Sequence, residues 1–212
     1  MVDLRNHGRS EWADLHSYES MANDVIETMD FLSLSQFHVI GHSMGGKVAM
    51  HLAQSYPERI LKTVVVDMGV KAYPMHHQDL IEAIKAVPID TITARSQVNT
   101  FLSNRIPEEG VRQFLLKNLY WIERGKLAWR MNIAVLEANM PLILDALPET
   151  EVLGPTLFIK GANSSYILEE DFEAIENIFL DSEIQSITDA GHWVHADSFE
   201  EFLESVLAFL LR

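Results

Sequence analysis

Five consecutive residues constrain this chain more than anything else in it: Gly41-His42-Ser43-Met44-Gly45. They follow QFHVIG (36–41), a short apolar segment that ends in glycine and reads as a strand. They open Met44–Ser55, where Val48, Ala49, Leu52 and Ala53 recur at helical spacing until Tyr56-Pro57 stops the pattern. A serine held between a strand and a helix in G-x-S-x-G sits on a very tight turn. The turn strains the serine backbone and lifts its Oγ clear of the chain. Glycines two residues to either side are expected to avoid collision with the turn and the neighbouring strand. The Met44 N–H, at the helix start, points to where a substrate oxyanion would form, and the helix dipole adds favourable partial charge there. This is the setting of a nucleophile.

Composition narrows the classes around that motif. At 212 residues the chain suits one domain with an insertion, or two small ones. Asp and Glu number 31 against 16 Lys and Arg, a net charge of −15 that repels phosphate backbones, so no nucleic-acid partner is expected. The absence of cysteine excludes a disulfide scaffold, a thiolate zinc site and a cysteine nucleophile. The opening MVDLRNHGRS lacks the basic and apolar regions of a signal peptide, and no run of 18 apolar residues occurs. The expectation is a cytoplasmic protein with no membrane span and no metal or organic cofactor.

Apolar spacing predicts a helix over Ser20–Leu34, a buried strand over LKTVVVD (61–67), a strand at TLFIKG (156–161), a helix over Glu169–Phe179, a strand at EIQSI (183–187) and a terminal amphipathic helix over Phe199–Leu211. Between them the character changes. Short helices are expected at His77–Val87, Ile92–Leu102, Glu108–Asn118 and Ile133–Asn139, with a hairpin around Arg124-Gly125. The sum is an α/β class chain with a mainly parallel sheet, residues 1–70 and 151–212 forming the core and 71–150 a helical insertion. His76-His77 reads as a solvated pair, without the carboxylates that would define a metal site.

DLRNHGRS (3–10), VIGHSMGGKVAMHLA (39–53) and AGHWVHADSFEEF (190–202) resemble the α/β-hydrolase fold. Within it they are most similar to small bacterial esterases of the YbfF type, with GHSMGGK, VVVDMG and GHWVH in matching order. The resemblance implies Ser43 as nucleophile and the Met44 N–H as oxyanion donor. It points to His192, just past the last strand, as base. His195 and His42 read as packing residues. Many relatives carry the acid after the strand that here reads LFIKG, but Gly161-Ala162-Asn163-Ser164-Ser165 holds no carboxylate. The alternative seat is the end of the strand beside the nucleophile strand, which the YbfF-type esterases resemble in using; there stands Asp67. Glu170 and Asp189 are the reserves.

The resemblance also places DLRNHGRS at the end of the fourth strand, so the first three strands and one helix, roughly 45 residues, would precede it. The expectation is a fragment, lacking the loop that supplies a second oxyanion N–H and leaving a sheet edge open to self-association. The insertion corresponds to a cap over the serine. Its Phe101, Phe114, Leu115, Leu119, Trp121, Trp129 and Met131 either line an acyl pocket or form the cap's own core. The implied activity is cleavage of carboxylic esters, with acyl-CoA thioesters left open, through an acyl-enzyme. The alternatives are an inactive hydrolase-like remnant or non-catalytic binding protein, and a C–C bond hydrolase of the same fold.

Overall fold

A computed structural model describes residues 1–75 and 78–212; the expectation for His76-His77 lies outside the described residues. The chain forms two compact units, Tyr18–Tyr73 with Asp145–Arg212, and Met1–Ser17 with Pro74–Leu144.

The first unit is built on a sheet of order β1-β2-β5-β6, made of β1 (Phe37–His42), β2 (Ile60–Val66), β5 (Thr156–Gly161) and β6 (Ser182–Ile187). All three pairings are parallel. Helices α1 (Tyr18–Phe31), α2 (Met44–Ser55), α8 (Phe172–Ile178), α9 (Val194–Asp197) and α10 (Phe199–Leu210) belong to the same unit. The β-branched run in β2 forms a strand because its two faces feed two separate cores. Val65 packs with Met50, Ala53, Phe158, Ile175 and Phe179, whereas Val64 and Val66 pack with Leu157, Ile159, Ile187 and Phe209. That alternation is the period of two expected of a pleated strand. Full burial of each such side chain contributes about 1.5–3 kcal/mol. The strand ends at Val66 rather than Asp67, because Asp67 takes φ 48°, outside the β region. Among the described residues β1 pairs only with β2, so it stands at a sheet edge with Ile40 half exposed.

The second unit holds α3 (Gln78–Lys85), α4 (Arg95–Ser103), α5 (Glu109–Lys117), the hairpin β3 (Leu119–Glu123) and β4 (Lys126–Trp129), α6 (Ile133–Ala138) and α7 (Met140–Leu144). The hairpin is antiparallel and turns at Arg124-Gly125, where Gly125 adopts φ 81°. Spacing did not reveal α7. Its Pro141 falls in the first turn, where a missing N–H costs nothing. Leu115, Leu119, Trp129 and Met131 lie in this unit's own core, with Phe101 packed against it. Phe114 and Trp121 are exposed.

The unit boundaries differ from the expected 1–70, 71–150 and 151–212. Residues 1–17 join the insertion because polar bonds hold them there. The Asn132 N–H donates to the Asn6 carbonyl at 3.0 Å and the Trp12 Nε1–H to the Arg130 carbonyl at 3.2 Å. At the other end, residues 145–150 join the sheet unit. Gln54 Nε2 donates to the carbonyls of Pro148 and Thr150, both at 2.8 Å, and the Leu147 N–H to that of Val70 at 2.8 Å.

Candidate active site

Ser43 sits between β1 and α2 with φ 55° and ψ −121°, a conformation disfavoured for a residue with a Cβ. Its side chain makes no capping bond to the helix it precedes. Its backbone N–H donates to the Val66 carbonyl at 3.0 Å, so the turn is fastened to the end of β2. The flanking glycines divide their roles differently from the expected pattern. A Cβ on Gly41 would lie 2.0 Å from the Gly45 carbonyl oxygen, which requires glycine there. A Cβ on Gly45 would meet nothing within 4 Å, whereas one on Gly46 would come within 3.2 Å of the Gly41 oxygen, Met68 and Val65. The second steric requirement therefore falls on Gly46. Gly45→Ala is expected to keep or raise the melting temperature, because alanine gains about 0.5–1 kcal/mol over glycine inside a helix. Gly46→Ala is expected to cost about 1–3 kcal/mol through overpacking. Thermal melts of the two variants check the contrast.

Three side chains from distant parts of the sheet unit meet at this turn. His192, in the loop between β6 and α9, places Nε2 3.0 Å from Ser43 Oγ. Its Nδ1 lies 2.8 Å from Asp67 Oδ2. A carboxylate accepts, so Nδ1 carries the hydrogen and Nε2 presents its lone pair to the serine hydroxyl. Asp67 is fully buried. The carboxylate also accepts from the Gly161 N–H at 3.0 Å and from the Ser164 hydroxyl. Those donors replace the water that a buried carboxylate has lost. The same strand rung sets the geometry: His42 pairs with Val66, and Ser43 and Asp67 each follow by one residue. A Cβ on Gly161 would fall 2.2 Å from the Gly191 carbonyl oxygen. Only glycine lets the end of β5 come this close to the loop that carries His192.

Several supporting groups leave no pattern in the sequence. Tyr166 stacks on the His192 ring, 4.0 Å between centroids and 19° from parallel. Tyr73 Oη donates to the Tyr166 carbonyl and accepts the Gly69 N–H, both at 2.8 Å, tying the loop after Asp67 to the loop that carries Tyr166. Lys47 is buried in α2, and its Nζ donates to the carbonyls of Lys71 at 2.9 Å, Asp145 at 2.8 Å and Val70 at 3.3 Å. Burial pulls its pKa down to about 8. Ser164 occupies the seat where no carboxylate was found, and its hydroxyl bonds to Asp67 instead of replacing it. The reserve acids Glu170 and Asp189 are both exposed. His195 lies in α9 and packs edge-on against His42, with ring centroids 4.9 Å apart. His42 packs as expected, but it also bonds through Nε2 to the His192 carbonyl at 2.7 Å.

The arrangement can take a proton from a hydroxyl. Ser43 Oγ, the imidazole and the buried carboxylate form one hydrogen-bonded line, and His192 retains some exposure, 21% for its side chain. Met44 is the first residue of α2, a position whose N–H has no intrahelical acceptor and can face a developing oxyanion. Among the described residues no helix is long and apolar enough to cross a membrane.

Residues 1–92 match the family model described as alpha/beta hydrolase fold. The chain is 35% identical to esterase YbfF of Escherichia coli over 212 residues, 99% of this chain and 81% of that protein. It is 38% identical to the sn-1-specific diacylglycerol lipase ABHD11 of Danio rerio over 217 residues, 99% of this chain and 68% of that protein. The solved structure of a marine microorganism esterase superposes with a TM-score of 0.95 at 37% identity, covering 98% of this chain and 83% of that one. With this sheet, this turn and these relatives, the chain belongs to the α/β-hydrolase superfamily and resembles its YbfF-type esterases.

Proposed function

We propose that this protein cleaves carboxylic esters through an acyl-enzyme formed on Ser43. The observation that carries the reading is the hydrogen-bonded line from Ser43 Oγ through His192 to Asp67. Esterase and lipase names among the relatives support the same reaction class. In this reading His192 Nε2 takes the Ser43 proton as Oγ attacks the ester carbonyl. The Met44 N–H donates to the oxyanion of the tetrahedral intermediate. Protonated His192 then delivers its proton to the leaving alkoxide, and the alcohol departs. Asp67 holds the Nδ1–H tautomer throughout and stabilises the imidazolium. Water, deprotonated by His192, attacks the acyl carbonyl; the bond to Ser43 Oγ then breaks, the carboxylic acid leaves, and His192 returns the proton to Oγ.

Nothing in this cycle distinguishes an alkoxide from a thiolate leaving group, so acyl-CoA thioesters belong in the same assay. The test is a series of nitrophenyl esters from acetyl to lauroyl, with acyl-CoAs and a diacylglycerol alongside. Turnover of at least one ester, with a pre-steady-state burst of nitrophenol where deacylation is slow, is the expected result. A folded protein that turns over none of them overturns the proposal.

A further inference from the structure

The base of this site comes from a loop, and its position must be held to a few tenths of an ångström against two partners. Asp67 fixes the far end of the ring at Nδ1 and Tyr166 covers one face. Neither holds the backbone from which the ring hangs. Two side chains do: Asp197 Oδ2 accepts the N–H of the preceding Gly191 at 2.9 Å, and His42 Nε2 donates to the carbonyl of His192 itself at 2.7 Å.

His42 is well placed for this. It is the last residue of β1, paired in the ladder with Val66, and it directly precedes Ser43. Ser43 and Asp67 already depend on that rung for their positions. A bond from His42 to the third member ties all three to one rigid element, across 150 residues of sequence. The direction of the bond is set by chemistry: a carbonyl only accepts, so Nε2 carries the hydrogen. Burial holds the ring neutral, its pKa lowered to about 4, so this tautomer persists at neutral pH.

We infer that His42 is a positioning residue that sets the distance between His192 Nε2 and Ser43 Oγ through its bond to the His192 carbonyl. The inference rests on the proposed hydrolytic role of Ser43 and His192, and extends it. Packing is the competing role, because the His42 ring also lies against His192, Trp193 and His195 at centroid distances of 4.7, 5.2 and 4.9 Å. The two roles separate chemically. Phenylalanine keeps an aromatic ring and removes the donor. Glutamine removes the ring but carries an Nε2–H donor at nearly the same reach.

His42→Phe is expected to lower kcat about tenfold, the worth of one net hydrogen bond, with KM within twofold. His42→Gln is expected to recover most of the loss. A second readout is independent of turnover: the low-field proton resonance of His192 Nδ1–H, assigned by its loss in Asp67→Asn. Broadening of this resonance in His42→Phe and its recovery in His42→Gln support the inference, even if no ester is ever hydrolysed. An unchanged resonance in His42→Phe overturns it. So does a defect in His42→Gln as large as that in His42→Phe, because the ring and not the donor would then matter.

Discussion

Ser43→Ala is expected to lower kcat for ester hydrolysis by about 10⁶-fold, the loss typical when a nucleophile acting as a unit with its base is removed. The protein should remain folded. The substitution removes one oxygen that caps no helix and, among the described residues, makes its side-chain hydrogen bond to His192. The backbone strain stays, because alanine meets the same penalty at φ 55°. Ser43→Gly should relieve it, raising stability by about 1–2 kcal/mol while losing activity equally. Stability and reactivity are then opposed at one residue, as expected where a strained turn serves chemistry. Melting curves and initial rates on both variants check this. Retention of more than a few per cent of wild-type turnover in Ser43→Ala contradicts a covalent role.

Asp67→Asn is expected to cost about 10⁴-fold in kcat with little loss of fold. The amide is nearly the same shape, and its oxygen can still accept from the Gly161 N–H. At the position of Oδ2, however, an NH₂ would donate toward His192 Nδ1. The imidazole would then carry its hydrogen on Nε2, facing Ser43, and could not take the serine proton. The Ser164 hydroxyl can rotate to accept from the new amide, so the variant leaves no buried group unpaired. Asp67→Ala tests something different, because it leaves the Ser164 hydroxyl and the Gly161 N–H without their acceptor, and it should cost stability as well as rate. Rates for the two variants, together with their melting temperatures, separate tautomer control from structural support. An Asp67→Asn variant with wild-type kcat removes Asp67 from the site.

Much of this was legible in the residues, for reasons that can be named. The boundaries of α2 are those expected from Met44–Ser55, because a helix opened by a glycine-rich turn and closed by Tyr56-Pro57 carries both signals in local sequence. The strand in β2 was legible because β-branched residues buried on both faces leave a continuous apolar run. Asp67 stands out through the resemblance to esterases that place the acid at that strand end, together with the absence of a carboxylate around Ser164, and the structure joins Asp67 and Ser164 in one hydrogen bond. What stayed hidden depends on contacts between residues far apart. The attachment of Asn6 to Asn132 has no periodicity, so nothing in the sequence signals that the first 17 residues group with 74–144. The bond from His42 to a backbone carbonyl depends on the partner's position, not its identity, and no side-chain pattern can encode it. The exchange of steric roles between Gly45 and Gly46 depends on Met68 and Val65, which lie beyond the motif.

Hydrolysis through an acyl-enzyme requires Ser43 Oγ to become the covalent attachment point of the acyl group. A fluorophosphonate reacts preferentially with a serine activated by its base and leaves a stable adduct that peptide mass spectrometry can locate. The prediction is a single adduct on the peptide containing Ser43, absent from Ser43→Ala and strongly reduced in Asp67→Asn. An adduct on another residue, or none on the folded protein under conditions where it hydrolyses esters, would contradict the account.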